Sequence, residues 1–312
     1  STISLAANCV YTVTVAYAGN NGLPPVTTPV TIEGNGSTIV RASASDFRLF
    51  EVSAAGDLTL EDITLQNGKA PVGGAIYSQG TLTVQDSIIS DGEATNTSGT
   101  NGGGAIMTNG GQLIVSGTVF ENSQARYGGA ILIRNTVVDI QQSSFVDNTA
   151  NSGGGIFNDS ITEITNSTFS GNDAPANYGG GVFNSGTLTV TNSTFSENDA
   201  FGGAGLHTDG GSSTVLRNVI IANSVSTSDC SNSGTTDVSA NNIIEDGSCG
   251  ALLTGDPDLE PLTTFNGLPI YKLGEFSNAI DAGSNAVCPA VDQRGVARPL
   301  NGVCDIGAIE SA

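Results

Sequence analysis

Two aspartates at the same place in neighbouring copies of a repeat have the residue type and spacing for acid–base chemistry. Asp173 and Asp199 each follow an asparagine, in STFSGNDA and STFSENDA. Glycoside hydrolysis needs two carboxylates roughly 5 to 10 Å apart, and stacked strands hold equivalent residues about 4.8 Å apart. Because carboxylates are also common turn formers, we assign no catalytic residue and keep Asp173 and Asp199 as the candidate pair if the protein is an enzyme.

An acidic segment near the C-terminus is a candidate calcium site. Asp256, Asp258 and Glu260 alternate in DPDLE, so all three carboxylates would face one way on an extended segment and offer the oxygen ligands that Ca²⁺ prefers. The competing interpretation is a solvated acidic turn. The sole histidine, His207, lies in GLHTDGG, and we expect no functional role for it. Calcium is therefore the one cofactor that the sequence leaves open.

The cations and the glycine clusters argue against two other chemistries. Pectate-lyase chemistry needs an arginine or lysine base beside a calcium site, and we expect no pair of cations on one face at one-rung spacing beside acidic residues. Arg294 and Arg298, in DQRGVARP, are expected to form salt bridges within the C-terminal region. No glycine cluster is followed by the lysine of a phosphate-binding loop, which favours a structural role for the glycines.

The charge balance excludes whole classes of partner. The 312 residues include 30 Asp and Glu against 9 Lys and Arg, a formal net charge of −21. Such a chain cannot make the cationic phosphate contacts of a nucleic-acid-binding protein, and it repels polyanionic sugars such as pectate unless a cation bridges them. No run of about 18 apolar residues is present, so we expect no membrane span.

The five cysteines predict an oxidising compartment. Cys230, Cys249, Cys288 and Cys304 cluster near the C-terminus without the paired spacing of a zinc site. Their simplest pairing is two local disulfides, Cys230–Cys249 and Cys288–Cys304. Cys9 is left over, and three interpretations remain open for it: a free buried thiol, a bond to a residue upstream, or a link between subunits.

A repeat of about 25 residues determines the fold class. Its glycine clusters read GGAIY, GGAIM, GGAIL, GGGIF, GGGVF and GGAGL, starting at residues 73, 103, 128, 153, 179 and 202. A period of this length indicates a solenoid, and the alternating apolar runs exclude helical repeats. We therefore predict an all-β, right-handed, single-stranded parallel β-helix with three short strands in each turn, here called a rung.

Stacking of the rungs would align equivalent side chains. Phe120, Phe145, Phe169 and Phe195 should form an internal aromatic ladder. A second ladder of inward amides is expected from one turn of each rung. Its members would be Asn148, Asn172, Asn198 and Asn223, with Gly68, Gly92 and Ser123 in the earlier rungs.

The repeat also sets the expected domain boundaries. Residues 1–225 should form the β-helix, with opening rungs over 1–57 and regular repeats over 58–225. Residues 226–312, where the repeat dissolves, are expected to be an irregular, disulfide-stapled capping module of the same structural unit. Both ends of such a rod carry unpaired strand edges that need a cover.

A family resemblance is carried by four segments of the C-terminal region and by the repeats that precede them. DPDLEPL, SNAIDAG, DQRGVARP and CDIGAIE occur in order, after rungs of the form GG(A/G)I…LTVTNSTFSxN. The chain resembles bacterial secreted proteins of the choice-of-anchor Q type, in the pectin-lyase-like β-helix superfamily. The resemblance implies export, with a signal peptide that this chain does not contain, and display at a bacterial surface.

Two functions of different classes follow as expectations. The first is a non-enzymatic structural or adhesive surface protein that contacts polysaccharide or itself and assembles into filaments or a surface layer. The alternative is a polysaccharide lyase, a glycoside hydrolase or a carbohydrate-binding protein that uses one face of the β-helix.

Overall fold

A computed structural model describes residues 1–99, 101–225 and 228–311, and its main body is a parallel β-solenoid with three sheets. The first sheet contains Thr2–Ser4, the first halves of Pro29–Arg41 and Asp57–Gln66, Thr81–Gln85, Gln112–Ser116, the second halves of Ile131–Gln141 and Ile156–Thr165, Thr187–Thr191, Ser213–Arg217 and Thr235–Ala240. The predicted all-β parallel solenoid is confirmed.

The other two sheets repeat the same stacking. The second sheet contains Val10–Val13, the second halves of Pro29–Arg41 and Asp57–Gln66, Ile88–Ser90, Val119–Glu121, Ser144–Val146, Thr168–Ser170, Thr194–Ser196, Ile220–Ala222 and Ile243–Ile244. The third sheet contains Phe50–Val52, Ile76–Ser78, Ile106–Asn109, the first halves of Ile131–Gln141 and Ile156–Thr165, Val182–Asn184, Leu206–Thr208 and Cys230–Asn232.

A few short elements lie outside these sheets. They are Lys69–Ala70 with Glu93–Ala94, Asp173–Tyr178 with Asp199–Gly202, the antiparallel pair Thr263–Phe265 and Leu268–Ile270, and the 3₁₀ turn Ser248–Gly250. No helix of the described residues has the length and apolar character needed to cross a bilayer.

Alternation within each strand places the core inside the coil. In Thr81–Gln85, Leu82 and Val84 are fully buried while the intervening threonines face outward, as the two-residue period of a strand requires. The glycine clusters lie at the corner that precedes the third sheet. Gly103 has φ +71°, and a Cβ on Gly104 would lie 2.2 Å from the carbonyl oxygen of Gly129 in the next rung. The structural interpretation of these glycines is therefore confirmed.

The aromatic ladder stacks as predicted. The ring centroids of Phe120, Phe145, Phe169 and Phe195 follow one another at 4.9, 4.6 and 4.4 Å, with planes within 10° of parallel. All four side chains are fully buried in the second sheet. Their stacking continues columns of Leu and Ile from the rungs on either side, so one apolar core runs along the rod.

The amide ladder has three asparagines, and the prediction that Asn223 belongs to it is wrong. The Nδ2 of Asn148 donates to Asn172 Oδ1 at 3.0 Å, and the Nδ2 of Asn172 donates to Asn198 Oδ1 at 2.9 Å. Ser196 pairs with Ala222, so Asn223 aligns with Glu197 instead of Asn198. Its side chain is exposed and donates to Ser196 Oγ. Ser224 aligns with Asn198 and occupies the ladder position, because the asparagine of this rung lies one residue earlier than its equivalents while the register continues.

The β-helix continues one rung beyond the predicted boundary at residue 225. Cys230–Asn232, Thr235–Ala240 and Ile243–Ile244 extend the three sheets in parallel. This rung lacks the glycine cluster and the phenylalanine, so the sequence pattern of the repeat does not predict it. Residues 245–255 then fold over the end, where Cys249 and Ala251 pack against the core. The predicted disulfide Cys230–Cys249 is confirmed and fixes this cover, with Cα atoms 5.7 Å apart.

Residues 256–311, here called the flank module, lie along the side of the rod. The module is attached to a column of corner residues with positive φ between the first and second sheets. Five successive corners carry an amide side chain, and each donates to a backbone carbonyl of the module; they are Gln142, Asn166, Asn192, Asn218 and Asn241. The three corners before Gln142 carry Asp62, Asp86 and Gly117, which have no amide to donate.

Buried ion pairs hold the flank module together. Arg298 and Glu310 pair at 3.0 Å with both side chains almost fully buried, and Arg294 pairs with the buried Asp292 at 2.7 Å. The predicted disulfide Cys288–Cys304 is confirmed in the same module. Packing thus accounts for the DQRGVARP and CDIGAIE segments, since their arginines pair with buried carboxylates inside the module.

The fifth cysteine, Cys9, has an exposed thiol. The expectation of a buried thiol is therefore wrong, and a bond to an upstream residue or between subunits remains a prediction.

Candidate functional site

An outward-facing column of side chains on the third sheet borders a concave surface. The register of the strands aligns Tyr77, Met107, Leu132, Phe157, Phe183, His207 and Ser231, one from each successive rung. These side chains point away from the core of the coil, so the solenoid does not need them to be apolar. Met107 and Leu132 in the early part of the column are buried, and Phe183 in the later part is partly exposed.

The later part of the column is an aromatic wall. The rings of Phe157 and Phe183 stack with centroids 4.8 Å apart and 9° between their planes. His207 follows at 5.0 Å from Phe183. Tyr178, from the strand Asp173–Tyr178, covers the imidazole at 4.5 Å in a stacked geometry. Tyr127 meets the edge of Phe157 at 5.1 Å.

This wall borders a cleft of about 480 Å³. Its rim is polar, with side chains of Asn177, Ser185, Asp209, Asn232 and Ser233. Asp209 is the only carboxylate among the described residues that line the cleft, and neither lysine nor arginine is present there. The lining thus combines aromatic rings with a larger number of polar side chains, and rings that provide apolar contact beside polar groups that fix orientation are typical of small-ligand sites. The absence of lining cations makes the cleft unsuited to a polyanion.

His207 lies at the centre of the cleft, a role that the sequence did not predict. Its Nδ1 is 2.7 Å from Ser231 Oγ, and its side chain is only 5% exposed. Burial lowers the pKa of the imidazole, while the nearby Asp209 opposes the shift. The ring is therefore neutral at pH 7 and extends the aromatic surface. The alignment of GGGIF, GGGVF and GGAGLH could have shown that Phe157, Phe183 and His207 share one outward column.

The candidate pair Asp173 and Asp199 is brought together in register. The two residues are direct partners in the pairing of Asp173–Tyr178 with Asp199–Gly202. Burial first, and the charge of Asp199 second, raise the pKa of the Asp173 carboxyl, as a general acid requires. Its Oδ1 is buried without a hydrogen-bond partner. Neither residue lines the aromatic cleft, so this pair is separate from it.

Two cations lie near acidic residues in one pocket, although they do not occupy equivalent positions of adjacent rungs, since the register places Arg41 beside Asn67. Arg41 and Lys69 line one pocket of about 320 Å³ together with Asp91 and Glu93. Lys69 Nζ is 2.8 Å from Glu93 Oε2, and this hydrogen bond raises the pKa of the lysine. Arg41 donates to backbone carbonyls, including that of Asn67 at 2.6 Å. A raised lysine pKa opposes proton abstraction, since a base must be deprotonated.

The proposed calcium ligands are exposed and already engaged in a turn. Asp256 Oδ1 accepts from the Asp258 N–H at 2.8 Å, and the Glu260 N–H donates to the Lys272 carbonyl. The described residues contain no group of three or more Asp, Glu, His or Cys side chains arranged to hold a metal ion. Calcium binding by Asp256, Asp258 and Glu260 remains a prediction.

Comparisons with known proteins agree with the observed architecture. A family model described as the right handed beta helix region matches residues 103–262, just over half of the chain. The crystal structure of the pectate lyase Pel9A superposes with a TM-score of 0.52 over 100% of this chain and 88% of that chain, at 15% identity. At this identity the likeness concerns the fold alone. None of the curated proteins matches the chain.

Proposed function

Since the chain belongs to the right-handed β-helix family, we propose that it is an extracellular, non-enzymatic adhesive protein that binds a neutral saccharide in the aromatic cleft. The observation that carries the proposal is the stack of Phe157, Phe183 and His207 on the outer face of the coil. Because these rings stack on one another, they present their edges to the cleft. This apolar surface can pack against the C–H groups of a sugar ring, and the sugar hydroxyls can bond amide, hydroxyl and carboxylate groups.

The charge of the cleft supports a neutral ligand. Asp209 would repel a uronate, and the described lining offers no cation to balance one. Binding should therefore not need calcium, in contrast to contact between an acidic protein and pectate, which requires a bridging ion. The two disulfides support an extracellular location, and the choice-of-anchor Q resemblance supports display at a bacterial surface.

The test is saccharide binding by the purified protein, with Phe183→Ala and Phe276→Ala as matched variants. Phe183 lies in the aromatic wall, whereas Phe276 is 85% exposed in the flank module. We expect an array of neutral and acidic glycans, read with and without EDTA, to identify neutral ligands that bind at least tenfold more weakly to Phe183→Ala and normally to Phe276→Ala. Absence of binding, or equal binding by both variants, would overturn the proposal.

Glycoside hydrolysis at Asp173 and Asp199 is the second candidate. The observation that favours it is their paired register together with the raised pKa of Asp173. New reducing ends released from a polysaccharide by the wild type, and lost in Asp173→Asn, would establish it. Binding in the aromatic cleft without any product would instead support the non-enzymatic function.

A further inference from the structure

Three polar side chains of the aromatic cleft repeat with the rungs. Ser185, Asp209 and Ser233 each follow directly after a strand of the third sheet, and all three line the cleft. The backbone N–H of each donates to a carbonyl one rung earlier, at 2.7 to 2.8 Å. Because the same bond recurs in three successive rungs, these residues are structural equivalents. They are here called the polar row.

The outward column of the third sheet repeats with the same period beside this row. Phe157, Phe183, His207 and Ser231 are direct partners in successive strands, and all four line the cleft. Paired strands are about 4.8 Å apart, so three steps between four rungs span about 14 Å. The cleft therefore follows the axis of the rod over a length that a single sugar ring does not fill.

The polar row is available to a ligand. Its hydroxyl and carboxylate groups make no hydrogen bond to another side chain among the described residues. The preceding inward residues behave differently, because Asn184 and Thr208 both bond Thr214 inside the coil. The fold is thus satisfied without the row. Serine hydroxyls both donate and accept, and a carboxylate accepts, so the row complements the hydroxyls of a sugar.

An ion pair occupies the equivalent positions of the two preceding rungs. Arg134 is the register partner of Asp159, and Arg134 Nε lies 3.8 Å from Asp159 Oδ2. Asp159 directly precedes Ser185 in the series, since Asn158 pairs with Asn184. Neither charged residue lines the cleft. The polar row is therefore three rungs long.

We propose that the cleft takes an extended neutral oligosaccharide of at least three sugar units, which lies along the axis of the rod. This inference rests on the proposed saccharide binding and adds the length and the direction of the ligand. Each of three rungs presents one residue of the outward column and one of the polar row to one sugar unit. The pairs are Phe183 with Ser185, His207 with Asp209, and Ser231 with Ser233. A chain that crossed the rod would meet one rung and leave the other two unused.

The experiment is isothermal titration calorimetry with the malto-, cello-, xylo- and manno-oligosaccharide series, from one to five units. In a series that binds, we expect the affinity to rise at least about fivefold from the disaccharide to the trisaccharide. Ser233→Ala removes the hydroxyl of the last rung and should weaken trisaccharide binding about threefold to tenfold. Disaccharide binding should stay unchanged, because two units still fit on the other two rungs. Ser239→Ala is the matched control, since Ser239 is exposed on the same rung outside the cleft, and it should bind as the wild type does.

The outcomes separate this proposal from the saccharide function on which it rests. Equal affinities for the disaccharide and the trisaccharide, or an unchanged trisaccharide affinity in Ser233→Ala, would overturn the extended ligand. If Phe183→Ala still abolished binding, the saccharide function would stand. Absence of binding by every series in the wild type would overturn both.

Discussion

Replacing Asn172 by alanine tests whether the buried amide ladder stabilises the rod as a network. The Asn172 side chain accepts from the N–H and the Nδ2 of Asn148, at 3.2 and 3.0 Å. It donates to the Phe145 carbonyl and to Asn198 Oδ1, both at 2.9 Å. The residue is fully buried, so water cannot replace the four lost bonds.

The expected cost follows from this bonding. A hydrogen bond contributes about 1 kcal/mol net, and more where a buried partner is left unsatisfied. Four bonds therefore predict that the free energy of unfolding falls by about 4 kcal/mol. Asn223→Gly is the matched control, because this exposed side chain makes one side-chain hydrogen bond to Ser196 and its φ of 55° suits glycine. Its cost should stay below about 1 kcal/mol.

Urea denaturation followed by far-UV circular dichroism measures both variants. Hydrogen exchange then locates the damage, which should centre on the rungs that contain Phe145 and Phe169, because rungs contact only their neighbours. Equal losses in Asn172→Ala and Asn223→Gly would refute the reasoning, since the ladder would then contribute no more than one exposed bond.

Two further predictions concern charge. Glu310→Gln should remove the ion-pair partner of the buried Arg298 and lower the free energy of unfolding by about 3–5 kcal/mol. Limited proteolysis should detect the loss as early cleavage in the flank module, and an unchanged cleavage pattern would contradict it. The pKa of Asp173 is raised in the folded state. Between about pH 4 and this raised pKa, the folded state therefore binds more protons than the unfolded state. The contribution of Asp173 to stability falls as the pH rises through this window. Asp173→Asn should therefore have a higher melting temperature than the wild type at pH 7.5, and this difference in melting temperature should be smaller at pH 4.5. Equal differences at both pH values would argue against the burial of the Asp173 charge.

The sequence predicts those parts of the fold in which every rung places the same kind of residue against its neighbour. Phe145 and Gly153 each face the equivalent residue of the next rung, so one structural requirement produces one recurring letter. The displacement of Asn223 and the rung that begins at Cys230 escaped prediction because both lie where the recurring residue types are lost. In these positions pairing continues without the side chains that mark the earlier rungs.

The candidate site could be predicted less well, because outward positions are free of the stacking requirement. His207 follows Phe183 in space through strand register, while Tyr178 reaches it from a separate strand. The contact of Arg41 with the carbonyl of Asn67, which brings the arginine to the pocket of Lys69, likewise depends on a loop conformation. Asp173 and Asp199 were found because they do recur with the period.

The attachment of the flank module changes how the rod would respond to mechanical force. Amides from Gln142 to Asn241 bond the module at five successive corners. A load applied near residue 311 is therefore distributed as shear along the side of the coil instead of peeling the last rung away. The rungs before residue 117 have no such lateral attachment to the flank module, and stretching should unfold them first.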